Sequence, residues 1–117
     1  MTYVLPENVI SPQNYWALTC VIYNEEQGGI AVAFGRWDNN PVIGIRWNGY
    51  DEPHKELGNP QSSGNPTWFI LPKELGIVIV KELLIKKALG NECIQKENMD
   101  FVIAWLKDYV KISHQLY

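Results

Sequence analysis

From Tyr15 to Trp47 the chain alternates apolar blocks with short polar breaks, at a spacing that predicts strands. "YWALTCVIY" (15–23) sets Trp16, Leu18, Cys20 and Ile22 on one side and Tyr15, Ala17, Thr19, Val21 and Tyr23 on the other. That is a strand with two largely apolar faces. "NEEQGG" ends it with turn chemistry, and "IAVAFGRW" (30–37) forms a second strand. "DNNP" is a turn, and "VIGIRW" (42–47) forms a third. Connections this short predict an antiparallel meander. A long polar loop then fills 48–66 before "TWFIL" (67–71) supplies a fourth strand.

After Leu71 the period changes. Pro72 suits a helix's first turn, Glu74 favours the same N-terminus, and Gly90 suits a C-terminal cap. Between them Val80, Leu83, Leu84 and Ala88 share a helical face, so a helix is expected, with a strand over 77–80 as its rival. The last element carries Val102, Trp105, Leu106, Tyr109 and Val110 at helical spacing. Asn98 is placed to cap it, Asp100 lies in its first turn, and Lys107 and Lys111 lie towards its C-terminal end. The expected fold class is α+β: a mostly antiparallel four-stranded sheet (meander) followed by two C-terminal helices packed on it.

Length and composition fit this picture. The 117 residues suit a single globular domain, 1–117, and 46% hydrophobic with 20% charged residues is a globular composition. No apolar run reaches the about 18 residues of a membrane span, and the start lacks the basic-then-apolar pattern of a leader. The expectation is therefore a cytoplasmic protein without membrane contact. Cys20 reads as a small buried hydrophobe, Cys93 follows a helix end, and both are expected to be reduced. Two cysteines without clustered histidines make no zinc site, and no cofactor or metal is expected.

The net charge of −3 argues against nucleic acid as a partner. Its distribution is uneven. Residues 1–72 carry three basic and seven acidic side chains, while residues 73–117 carry seven and six. Solvated loops explain such an acidic front half; a surface shaped for a basic partner explains it too.

The loop contains Gly-Asn-Pro twice, at 58–60 and 64–66. Each proline restricts the asparagine before it and each glycine permits a turn, so two stiff corners are expected, with Gln61, Ser62 and Ser63 between them. Such punctuation can serve register alone, or present binding groups at the end of a sheet. Arg46-Trp47-Asn48-Gly49, together with Pro-x-Ser-x-Gly-x-Pro-Thr-Trp-Phe-Ile-Leu-Pro from Pro60 to Pro72, resembles the core of a group of small uncharacterised bacterial proteins. The likeness covers Arg46 to Leu75. It implies a bacterial accessory gene, a setting where toxins, antitoxins and immunity proteins occur, and it brings no activity with it.

Catalytic chemistry is thinly represented. His54 stands among Asp51, Glu52, Lys55 and Glu56, and His114 lies near the C-terminus. A hydrolase-type enzyme would need His54 to converge with Asp51 and Ser62 or Ser63, yet no nucleophile elbow is visible. Neither a Walker lysine nor a dinucleotide-binding glycine pattern is present. The leading expectation is a non-catalytic neutraliser, of immunity or antitoxin type, that occludes a basic protein such as a toxin domain. Its contacts would be Trp47, Asp51, Glu52, Glu56, Gln61, Ser62 and Ser63, with Glu25, Glu26 and Asp38 adding charge. The alternative is a small-ligand pocket at the 48–66 loop with Arg46, Asn48, Ser62, Ser63 and Thr67 as its polar groups.

Overall fold

The structure, a computed structural model, describes residues 2–116, with side chains described through Asp108. Three long strands form the expected meander: β1 (Trp16–Asn24), β2 (Ile30–Trp37) and β3 (Asn40–Trp47). The β2–β3 turn places Asp38 and Asn39 at φ 50° and 67°, the two-residue geometry that matches strand twist. Within the long loop a minimal hairpin pairs β4 (Gln61–Ser62) with β5 (Asn65–Pro66). The fourth sheet strand, β6 (Phe69–Ile70), pairs antiparallel with β3, giving the order β1-β2-β3-β6. Only two residues of the expected 67–71 strand pair in this ladder, with Pro66 and Pro72 close on either side.

Two helices follow, α1 (Lys73–Ala88) and α2 (Met99–Leu116). Residues 77–80 are helical, so the strand rival falls. Pro72 occupies the N-cap position of α1, one residue outside the helix. At the other end Gly90 takes φ +77°, with hydrogen bonds from Gly90 N to Lys87 O (3.1 Å) and from Asn91 N to Lys86 O (2.9 Å). These are the paired bonds of a Schellman closure. Asn98 stands directly before α2, where a cap is expected, and its side-chain amide donates to Val21 O at 2.7 Å, holding the outer edge of β1. Tyr109, Val110, Lys111 and His114 lie outside the residues whose side chains are described.

Each face of the sheet is buried. One packs Ile22, Val32 and Ile43 against α1 and α2 through Val80, Leu83, Met99 and Val102. The other packs Ala31 and Ala33 under Trp16, Trp68 and Val9 of the N-terminal segment. The pairing of β1 with β2 slips twice, between Leu18 and Cys20 and between Val21 and Tyr23. Such bulges re-aim the side chains beyond them. Trp16 and Leu18 therefore serve one core and half-buried Cys20 the other, although strict alternation puts all three on one side.

Candidate functional site

The start of β2, the end of β3 and the 48–60 segment meet at one end of the sheet. Gly28 N donates to Gly49 O at 2.9 Å, and Asn48 N donates to Gly29 O at 2.8 Å. Asn48 is buried, and its side-chain amide nitrogen donates to Asn24 Oδ1 (2.9 Å) and to Glu26 O (2.8 Å). Trp47 exchanges two backbone hydrogen bonds with Asn59, at 2.8 and 3.0 Å, so the returning loop runs beside β3.

Arg46 clamps this loop. It is 3% exposed, and its guanidinium donates to the carbonyls of Leu57 and Thr67 while its Cζ lies 5.9 Å from the Trp68 ring centroid. Leu57 precedes the first Gly-Asn-Pro and Thr67 follows the second, so one side chain grips both ends of the excursion. No carboxylate pairs with it among the described residues, and Nε has no partner. Burial without a counter-ion pushes its pKa down to about 10. The planar fork of arginine suits this double grip on backbone oxygens.

The two Gly-Asn-Pro corners differ. Gly58 has φ +66°, and a Cβ there would lie 2.1 Å from Trp47 O, so this corner is jammed against β3. Gly64 has φ +77° with nothing within 4 Å. With Ser63 at φ 51° it turns the β4–β5 hairpin in open solvent.

Trp47 is 57% exposed and stands between two depressions. On one side is an almost wholly apolar groove of about 430 Å³, lined by Ile30, Ile45, Pro60 and Phe69, the last 58% exposed. On the other is a more polar cleft, also of about 430 Å³, walled by Asn48, Tyr50, His54, Lys55 and Gln61 over the backbone of Gly28 and Gly49. Asn48 Oδ1 is buried without a hydrogen-bond donor.

Acidic side chains ring the same end, several of them anchored. Glu25 accepts from Tyr23 Oη (2.6 Å) and Ile30 N (2.9 Å), and Glu26 accepts from Tyr3 Oη (2.7 Å). Asp51 accepts from Tyr3 N, which straps the N-terminus to the loop. Glu52 pairs with Lys55 at 3.1 Å, and Glu56 accepts from His54 N at 3.3 Å. The amide of Ile30, then the Tyr23 hydroxyl, holds the Glu25 carboxyl below its usual range. Burial, then the bond to Glu26, pushes Tyr3 up to about 12.

Of the expected partner contacts, Trp47, Asp51, Glu52, Glu56 and Gln61 gather here. Ser62 and Ser63 stand on the exposed hairpin tip, and Asp38 lies at the opposite end of the sheet, its amide bonded to Tyr15 O. Of the expected ligand groups, Arg46, Asn48 and Thr67 are buried ties within the fold. Among the described residues no hydrogen bond joins His54 to Asp51, Ser62 or Ser63, and no group of three or more His, Cys, Asp or Glu could hold a metal ion. In the sequence the groove-lining Phe69, Ile30 and Ile45 carry only a strand signal. Their alternation was visible, but which end of the sheet the helices leave uncovered was not. No helix among the described residues is long and apolar enough to cross a membrane. No protein-family model, curated protein or solved structure matches the chain.

Proposed function

We propose that the protein is a non-catalytic interaction module that binds a basic protein segment at the Trp47 end of its sheet. The observation that carries this reading is Trp47 itself, more than half exposed between an apolar groove and a polar cleft, with Glu25, Glu26, Asp51 and Glu52 on the neighbouring loops. Tryptophan in such a setting is a common interface anchor. An apolar side chain of the partner fits the groove beside Phe69 and Pro60. A neighbouring lysine or arginine fits beside it, where the exposed Trp47 indole face attracts a cation. Glu25, Glu26, Asp51 and Glu52 steer the approach. The resemblance to accessory-gene proteins fits a neutraliser of immunity or antitoxin type, acting by occluding a basic toxin surface.

The test is affinity capture at low salt with wild-type and Trp47→Ala baits, followed by binding rates of the purified pair. The expected partner is basic, is released by salt, and is lost from the Trp47→Ala bait. Equal capture by both baits refutes the assignment. A second reading takes the groove alone as a site for a small apolar ligand, since about 430 Å³ lies within the range of ligand pockets. Quenching of Trp47 fluorescence by such a ligand, without salt dependence, is its signature.

A further inference from the structure

Helix α1 is apolar on the side away from the core as well as on the side facing it. Gly76, Ile77, Val80 and Leu83 are buried, yet Leu75, Val78, Ile85 and Leu89 are 54%, 60%, 54% and 80% exposed. With Glu82 these four form the series 75, 78, 82, 85, 89, whose alternating steps of three and four are those of a coiled-coil seam. The ridge is about 21 Å long at 1.5 Å per residue. A second apolar stripe on a helix, away from its own core, is a surface suited to another partner.

We propose that the ridge is covered by a second copy of the chain, with the two α1 helices antiparallel about a twofold axis passing between Lys81 and Glu82. This goes beyond the reading of the Trp47 end. Charge complementarity selects both occupant and direction. In this register Val78 lies opposite Ile85 of the second copy, Leu75 meets the Ala88–Leu89 turn, and Lys81 lies opposite Glu82 of the second copy, twice by symmetry. The first turn with Glu74, at the positive end of one helix dipole, comes against the negative C-terminal end of the other helix. Parallel pairing would instead set Glu82 against Glu82 and the two like ends of the helix dipoles side by side. Glu82 can turn to this partner because its own bond to Lys86 is long, at 4.0 Å, and exposed. A single polar seam position is a known device for choosing register.

The test is sedimentation velocity of the full chain from about 1 to about 100 μM. The wild type is expected to dimerise within that range. Val78→Glu with Ile85→Glu is expected to be monomeric with unchanged circular dichroism, since both side chains point to solvent. Lys81→Glu alone is expected to weaken the dimer at least about tenfold, and Lys81→Glu with Glu82→Lys to restore it. A wild type that stays monomeric throughout overturns the proposal, as does a dimer that survives Val78→Glu with Ile85→Glu. Failure of the charge swap to restore what Lys81→Glu loses overturns the antiparallel register. A Trp47→Ala variant that still dimerises separates this interface from the one at the other site.

Discussion

Arg36-Trp37 closes β2 and Arg46-Trp47 closes β3, at opposite ends of one hairpin. At the first end the arginine is solvent-exposed, donating to Asn39 O at 3.2 Å, and the tryptophan is half-buried, stacked on Tyr15 with ring centroids 5.5 Å apart. At the second end the arginine is buried and the tryptophan exposed. The inversion comes from register. Trp37 pairs with Asn40 and Ile30 with Trp47, so odd positions on β2 share a face with even positions on β3. Arg46 therefore falls among Ala31 and the Trp68 core while Trp47 points to the face carrying the helices, beyond their reach. The same two residues make a closed structural corner at one end and an open surface at the other.

The sharpest way to break this comparison is at the arginines. Arg46→Ala leaves the carbonyls of Leu57 and Thr67 without donors and opens a void, and is expected to cost about 3 kcal/mol or more of unfolding free energy. Arg36→Ala is expected to stay within about 0.5 kcal/mol. Urea melts of the two variants check this, and equal costs would remove the clamp from the account. The glycines of the two corners come next. Gly58→Ala forces a Cβ into Trp47 O and is expected to cost about 2–3 kcal/mol, against about 1 kcal/mol for Gly64→Ala, where only the positive φ resists.

The tryptophans sharpen the functional half. Trp47→Ala is expected to change stability by less than about 1 kcal/mol but to weaken partner binding by about 2 kcal/mol, roughly thirtyfold. Trp37→Ala is expected to do the reverse, costing about 1–2 kcal/mol of stability and leaving binding unchanged. The ends also differ in alkali. Tyr3 is raised from its ordinary value near 10 to about 12, so between those values the unfolded chain loses a proton that the native chain keeps. Its stabilising contribution is full below about pH 10 and is lost as pH rises through about 12. Tyr23 is raised too, by burial and then by its bond to Glu25, and acts in the same direction. Stability measured from about pH 9 to 12 should fall, and Tyr3→Phe should flatten part of that slope. The smallest effect is at the rim: Glu52→Lys should slow association several-fold at low salt and hardly at all at high salt.

Much of the fold was legible in local patterns. The turn at 38–39, the closure at Gly90 and the two helices depend on neighbours a few residues away, and the chain carries those signals in full. The two slips in β1 were not legible, because a bulge is settled by which partner residues meet across the ladder. Nor was the bond from Asn98 to the Val21 carbonyl, which joins segments far apart in the chain. At the candidate site, Trp47 and the acidic loop could be named from the sequence, but whether Trp47 would be exposed or anchor a core could not. The serines of the double Gly-Asn-Pro promised a pocket and instead tip a hairpin.

The amino-acid order alone determined an α+β chain, a three-strand meander, two C-terminal helices and a concentration of acid before residue 73, since each follows from short-range spacing and composition. Tertiary structure decided which Arg-Trp pair would close and which would open, that Arg46 would brace the loop rather than face a ligand, and that α1 would turn an apolar ridge away from its own core. Those outcomes depend on strand register and on how far the helices reach across the sheet, which arise only when distant segments meet.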